Sequence, residues 1–211
     1  MAARKKSRAG RPRSEEARTA ILVATIAEIR AVGYDALAME AIAARAGVGK
    51  ATVYRWWSSK ELVVIEAIGQ IVRAIPAPDT GSVQEDVFAL IRATVGMYQD
   101  PATTGLLSGL VAAMARSEGV AGAMRSGFVG VWREAMREVM RRGMARGELP
   151  VGLDLEATID MMAGPLFYRF LMIGKPIDDR FARTVVRTIL NGIARVRGPA
   201  PRAQSTPKRR R

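Results

Sequence analysis

The chain of 211 residues contains no cysteine and no histidine. These absences exclude disulfides, thiolate nucleophiles, Cys/His zinc sites and imidazole acid–base catalysis, and with them most of the common enzyme mechanisms. Aromatic residues make up only 6% of the sequence. No apolar run reaches the roughly 18 residues that a membrane span needs, and the run from Ala20 to Ala27 ends at Glu28 without a cleavage site. We therefore expect a cytoplasmic protein with no cofactor, no bound metal and no membrane partner.

Basic charge is abundant but lies mostly at the two ends of the chain. The formal net charge is +13, and residues 1–13 and 202–211 carry six and five basic residues with no acidic one. Residues 14–201 carry 22 basic and 20 acidic residues, so this part is nearly neutral. Basic segments interrupted by Pro and Gly bury little apolar surface, and we predict disordered arms at 1–13 and 199–211. Contact with a DNA backbone and a purely solubilising role are both open for these arms.

Apolar residues recur at helical spacing along most of the chain, and alternating strand patterns are absent. This pattern predicts an all-α fold of about nine helices. Capping boxes at Ser58/Glu61 and Ser82/Glu85 and single caps at Asp154 and Asp178 place several helix starts. The first three predicted helices run from Ser14 to Val32, from Met39 to Ala46 and from Lys50 to Trp57. The fourth is capped at Ser58 and ends at Ile75, and the fifth is capped at Ser82 and ends at Gln99. The last four cover 104–116, 118–146, Asp154 to Met172 with a kink at Pro165, and Asp178 to Arg197.

Residues 39–57 have the spacing of a helix-turn-helix. Met39, Ile42, Ala43 and Ala46 form one apolar stripe, and Gly47 supplies a turn residue that tolerates a positive φ. The second helix has about seven residues and a length of roughly 10 Å, which fits a DNA major groove about 12 Å wide. Any short helix pair with a Gly turn imitates this pattern, so the motif alone is a weak indication of DNA binding.

The exposed positions predicted for the second helix carry side chains that suit DNA: Lys50, Ala51, Thr52, Tyr54 and Arg55. The two cationic side chains can donate to guanine or phosphate, the threonine methyl can contact thymine, and the tyrosine hydroxyl can donate to a phosphate oxygen. Val48 and Val53 are expected to face inward. Core packing is the alternative role for each aromatic here, and we predict it for Trp57 but not for Tyr54.

The stretch from Ala17 to Ile65, and especially MEAIAARAGVGKATVYRWWSSKELV, closely resembles the DNA-binding domain of the TetR/AcrR family of bacterial transcriptional regulators. The resemblance implies an all-α homodimer with a DNA-binding domain at 14–60 and a ligand-binding and dimerisation domain at 61–198. It assigns DNA contacts to Thr52, Tyr54, Trp56 and Lys60, and operator-specific positions to Lys50, Ala51 and Arg55. It also implies that Arg11 and Arg13 of the arm reach the minor groove.

Two features depart from the family pattern. Ala38 and Met39 stand where the family usually has Ser or Thr, and Gly49 stands where it often has Ser, so two hydroxyl contacts are lost. Residues 14–65 carry six basic and six acidic residues, and this net-neutral stretch lacks the excess expected of a strong phosphate binder. The N-terminal arm could supply that charge.

The segment DMMAGPLFYRFLMIGKPIDDRF resembles the C-terminal domain of one TetR branch, in which the last two helices pair with their twofold mates. Apolar residues at helical spacing in this region agree with such a dimer, and a buried core within one chain explains them equally. The predicted interface residues are Leu166, Phe170, Phe181, Val185 and Ile189.

Soft or broad apolar side chains along the middle helices predict an adaptable ligand pocket, for which plain core packing is the alternative. The candidate pocket residues are Met97, Met114, Phe128, Trp132, Met136 and Met162. Glu134 and Glu138, with Arg133 and Arg137, are expected to form a solvated face.

These patterns together predict a ligand-responsive transcriptional regulator, and repression is the expected mode. It would bind a palindromic operator in double-stranded DNA as a homodimer and be released by a small hydrophobic effector. An architectural DNA-binding protein without effector control is the first alternative. An enzyme, or a carrier of hydrophobic molecules, is the second, and it has no convergent acid pair to support it.

Overall fold

Every regular element in the described part of the chain is a helix. The computed structural model describes residues 12–99 and 105–195. The helices are α1 (Pro12–Val32), α2 (Met39–Arg45), α3 (Lys50–Trp56), α4 (Lys60–Ala74), α5 (Val83–Gln99), α6 (Leu106–Arg116), α7 (Glu118–Met124), α8 (Gly130–Ala145), α9 (Leu155–Phe167) and α10 (Asp179–Arg195). A π turn at Arg125–Val129 joins α7 and α8 into one rod, so these residues form nine helices and no strand. This confirms the predicted all-α class.

Helix α1 begins at Pro12, two residues before the predicted start at Ser14. Proline suits the first helical position because the amide it lacks would have no partner there. Residues 12 and 13 of the predicted arm therefore belong to α1, while the rest of both arms lies outside the described residues. The helix ends at Val32 as predicted, before Gly33 at a φ of 79°.

The start of α4 differs from the predicted capping box at Ser58 and Glu61. Ser59 is the residue before the helix, and its side chain accepts no hydrogen bond from the first turn. Trp57 is buried and donates its Nε1–H to Glu66 on α4, at 2.8 Å. Helix α4 begins one residue later than a cap at Ser58 would place it, and the Trp57–Glu66 contact links the end of α3 to α4.

Helix α5 begins after Ser82 as predicted, but its capping box is not formed. The Ser82 amide donates to Thr80 Oγ1 at 3.3 Å, and the Val83 amide donates to Glu148 Oε2 at 2.8 Å. The Glu85 carboxylate instead accepts from a guanidinium on α10. A distant carboxylate thus replaces the local one at this helix start.

The starts of the last two helices are confirmed. Asp154 accepts a hydrogen bond from the Ala157 amide at 2.9 Å, and Asp178 accepts one from the Phe181 amide at 2.7 Å. Pro165 lies inside α9, and a π turn at Tyr168–Met172 follows it.

Helices α1–α3 are called the head below, and α4–α10 the body. Their buried apolar residues belong to one continuous cluster. A tight contact between them joins Gly109 on α6 to Tyr34 in the loop after α1, because a Cβ added at Gly109 would lie 2.3 Å from the Tyr34 ring. Within the body, Gly127 in the π turn is also closely packed, because a Cβ added there would lie 3.2 Å from Ile65 on α4. None of the described helices combines the length and the apolar character that crossing a bilayer requires.

Candidate nucleic-acid interface

The α2–α3 pair has the local geometry of a helix-turn-helix. Gly47 adopts a φ of 66°, and the next amide, of Val48, turns back to donate to the Ala43 carbonyl at 3.0 Å. Ile42 and Val53 are fully buried between the two helices. The turn and this apolar contact hold α3 against α2 and leave the opposite side of α3 in solvent.

The outward side of α3 carries the side chains that the sequence analysis predicts to contact DNA. Lys50, Ala51, Tyr54 and Arg55 are exposed, and Thr52 is half-buried. Tyr54 is 42% exposed whereas Trp57 is 3% exposed, so the two aromatics lie on the predicted sides of the chain. These residues share one face of a seven-residue helix, and this exposed set is called the reading face.

Trp56 is less accessible than the rest of the nominated set. Its ring is half-buried, with the Arg18 guanidinium 5.2 Å from the ring centroid. Arg18 also pairs with Glu66 at 2.5 Å, the same carboxylate that holds Trp57. Trp56 thus lies where α1, α3 and α4 meet.

The Lys60 ammonium is occupied within the chain. It donates to the carbonyls of Tyr34 and Asp35, each at 3.2 Å, and lies 4.8 Å from the centroid of the Tyr34 ring. Burial of the phenol, followed by the nearby Glu61 and Asp35 carboxylates, raises the pKa of Tyr34 to about 12. The phenol therefore stays neutral, and Lys60 ties the start of α4 to the loop after α1.

Carboxylates neutralise some of the cations near the reading face. Lys50 pairs with Glu40 on α2, and this contact lowers the pKa of Glu40 and raises that of Lys50. Arg45 on α2 forms an ion pair with Glu28 on α1. Within residues 12–99 and 105–195, the exposed Arg55 guanidinium has no carboxylate partner. Arg55 is therefore available to an external anion or base edge without first breaking an ion pair.

Two of the nominated contacts cannot be placed. Arg11 lies outside the described residues, and only the backbone of Arg13 lies within them, as part of α1. Their role in DNA binding stays a prediction.

The residues predicted to line a pocket are mostly core. Phe128, Met136 and Met162 are buried, Met114 is half-buried, and the side chain of Met97 lies outside the described residues. Trp132 does line a small cavity in the body, of about 30 Å³. The other lining residues are Ile91, Thr94, Val95, Leu107, Leu166, Phe167, Phe170 and Ile177. The sequence missed most of them because they come from separate helices that only the folded chain brings together.

The predicted dimer residues are largely packed within their own chain, and their place in a dimer interface stays a prediction. Leu166 and Phe170 line the cavity of their own chain, and Val185 is buried. Phe181 and Ile189 are half-buried, and the Arg169 guanidinium lies 4.3 Å from the Phe181 ring centroid. The exposed apolar side of α9 and its π turn consists of other residues, namely Met161, Phe167, Tyr168 and Met172.

The predicted solvated face on α8 is present and extends to α9. Arg133 pairs with Glu156 and Asp160, and Arg137 pairs with Glu134 and Glu156. The two guanidinium groups lower the pKa of Glu156 to about 2. Most of these pairs join two helices, whereas the sequence suggested pairs within one.

An all-helical body carrying an N-terminal helix-turn-helix head defines the class of helical DNA-binding regulators. Residues 21–67 match the model of the bacterial regulatory proteins of the tetR family, and residues 77–189 match that of the tetracyclin repressor-like C-terminal domain. The chain belongs to the TetR family, and it is a DNA-binding transcriptional regulator of a family whose members are typically repressors.

Individual relatives agree over most of their length. The uncharacterised HTH-type transcriptional regulator YdeS of Bacillus subtilis is 33% identical over 189 residues, which cover 89% of this chain and 94% of the relative. The DNA-binding transcriptional repressor TetR of Mycobacteroides abscessus is 28% identical, with 84% and 94% covered. The crystal structure of the TetR family transcription regulator SCO0332 aligns with a TM-score of 0.76 at 28% identity, covering 84% of this chain and 98% of that one.

Proposed function

We propose that this protein represses transcription in the cytoplasm by binding a palindromic operator as a homodimer, and that a small, largely apolar effector releases it. The observation that carries the DNA-binding part is the reading face: Tyr54 and Arg55 are exposed on a short helix whose inner side is buried at Val53. The unpaired Arg55 can donate two hydrogen bonds to guanine, the commonest specific contact in the major groove.

The other members of the reading face divide into two roles. Lys50 and Thr52 lie in the first turn of α3, where side chains reach base edges or the adjoining phosphates. Tyr54 can donate its hydroxyl to phosphate, a contact that positions the helix without reading sequence. Trp56 and Lys60 reach DNA only if their contacts within the chain rearrange. The predicted arm contacts, Arg11 and Arg13, add phosphate or minor-groove binding in this proposal.

The homodimer is supported by the exposed apolar side of α9 and of the π turn that follows it. Met161 is 50% exposed, Tyr168 60% and Met172 73%, and such a stripe is stabilised when a second copy covers it. A twofold dimer also presents two reading faces to half-sites one helical turn apart. We retain 14–60 as the DNA-binding domain and 61–198 as the ligand-binding and dimerisation domain.

Effector control is supported by the contacts through which α6 connects the body cavity to the head. Leu107 on α6 lines the cavity, and Gly109 on the same helix abuts Tyr34. A ligand that shifts α6 would move the loop that Lys60 ties to α4. The effector would then favour a conformation whose two reading faces no longer match successive grooves, and operator affinity would fall.

The test begins with selection of bound duplexes from genomic fragments, followed by salt titration of the best sequence. We expect at least about a thousandfold preference over random DNA. Arg55→Ala should lower operator affinity by about 5- to 150-fold and relax the preference at one base pair. Arg92→Ala, at an exposed arginine on α5, is the matched control and should change neither. A steep salt dependence without sequence preference would instead favour architectural binding.

A further inference from the structure

A residue that lines the cavity in the body has an unsatisfied hydrogen-bond donor. Trp132 on α8 lines the cavity and is 8% exposed, and its indole Nε1–H is buried without a hydrogen-bond partner among the described residues. A buried donor without an acceptor costs free energy, because the group has given up its hydrogen bond to water. Such an orphan beside an apolar cavity is explained if a ligand supplies the acceptor.

The remaining lining restricts what that ligand can be. Thr94 is the other lining residue with a polar side chain, and its hydroxyl donates to the Leu90 carbonyl at 3.0 Å, which leaves the oxygen able to accept but commits its hydrogen. The residues that line the cavity carry no charged side chain. An ion placed there would lose its hydration without a compensating partner, so the chemistry favours a neutral molecule.

The size of the cavity indicates how the ligand enters. About 30 Å³ has room for no more than about two water molecules, so a larger guest must displace side chains. Phe167 and Phe170 lie at the end of α9 and in the π turn that follows, and Phe167 is 36% exposed. π turns inside helices often occur at functional sites, and this one begins three residues after Pro165. Among the lining residues only Phe167 is exposed, so we expect a guest to enter past its ring.

We propose that this cavity is the effector site and that it selects an uncharged, largely apolar molecule with one hydrogen-bond acceptor, which takes the Trp132 indole N–H. The proposal rests on the effector control proposed above. It assigns Trp132 as the polar recognition residue and places the apolar part of the ligand against Leu107 and Phe170. The same ligand would thereby contact α6, the helix that meets the head at Tyr34.

The test uses four small probes of similar shape with the full-length protein: acetophenone, ethylbenzene, benzoate and benzylammonium. Amide-proton NMR follows the three tryptophan indole N–H resonances, with Trp132→Phe identifying the signal of interest. We expect acetophenone to shift the Trp132 resonance and to bind about tenfold more tightly than ethylbenzene, which lacks the acceptor. The Trp56 indole, also buried without a partner but remote from the cavity lining, is the internal control and should not respond.

Several outcomes would overturn the proposal: equal affinities of acetophenone and ethylbenzene, preferred binding of either ion, or no shift of the Trp132 resonance up to the solubility limit of acetophenone. In Trp132→Phe the preference for acetophenone should vanish while ethylbenzene still binds. Because this assay contains no DNA, its failure leaves operator binding standing. Binding at Trp132 that leaves operator affinity unchanged would uphold the site and refute effector control.

Discussion

The reading face of the head and the cavity of the body are built in opposite ways. The reading face comes from residues 50–55 of a single short helix. The residues that line the cavity lie between positions 91 and 177 and come from four helices, the π turn after α9 and the loop before α10. Local geometry decides the first, because helical periodicity alone turns Val53 inward and Tyr54 outward. Long-range packing decides the second. The exposure of neighbouring side chains on one helix can be predicted from sequence, whereas a cavity lined by several helices cannot be predicted from spacing alone.

The body shows where periodicity stops being informative. Met136 and Met162 recur at helical spacing with the other candidate pocket residues, but they are fully buried and are not among the residues that line the cavity. Leu166 and Phe170 form a stripe that spacing assigns to a buried surface, and they are covered by their own chain around the cavity. Spacing identifies a stripe that must be covered, but it does not say whether a ligand, a second copy or the same chain covers it.

Helix starts follow the same division. Asp154 and Asp178 cap the first turns of their own helices, and both were predicted. The capping boxes at Ser58 and Ser82 are not formed; near them, Trp57 donates to Glu66 on α4 and the Val83 amide donates to the distant Glu148. The fold class was therefore predictable throughout, and the exact starts were predictable where the cap is local.

We expect the largest loss of stability from a substitution in the core of the body. Met136→Ala should lower the free energy of unfolding by about 2–5 kcal/mol, because a fully buried side chain leaves a cavity behind. Chemical denaturation would measure the loss. Val23→Ala, at a position on α1 that is 66% exposed, is the control and should change stability by less than about 0.5 kcal/mol. A small loss at Met136 would mean that this residue borders adaptable space after all, as the sequence suggested.

The junction between the two regions is tested by Gly109→Ala. A methyl group there would lie 2.3 Å from the Tyr34 ring, so the ring or α6 must shift, and we expect a loss of about 1–3 kcal/mol in unfolding free energy. Operator affinity should also change, because the Tyr34 carbonyl accepts a hydrogen bond from Lys60 at the start of α4, which follows the reading face. Gel-shift titration would measure this second effect.

Gly122→Ala is the matched control for the junction. Gly122 lies in α7 with no atom within 4 Å of an added Cβ, so the same substitution should stabilise the protein by up to about 1 kcal/mol. Operator affinity should stay unchanged in this variant. If Gly109→Ala behaved like Gly122→Ala in both measurements, head and body would be coupled elsewhere.

The smallest expected effect compares one exposed carboxylate in each region. Glu40 competes with DNA for Lys50, and its lowered pKa keeps it ionised at neutral pH, so it also repels phosphate. Glu40→Gln should tighten operator binding by about two- to fivefold, the scale of an exposed ion pair. The gain should hold from pH 6 to pH 8 and disappear only in acid, as the pH falls through the lowered pKa and the native carboxylate becomes neutral too. Glu156→Gln removes an equally ionised carboxylate from the body, where the pKa is about 2, and should leave operator affinity unchanged. Equal effects from the two variants would mean that overall charge, rather than the reading face, governs binding.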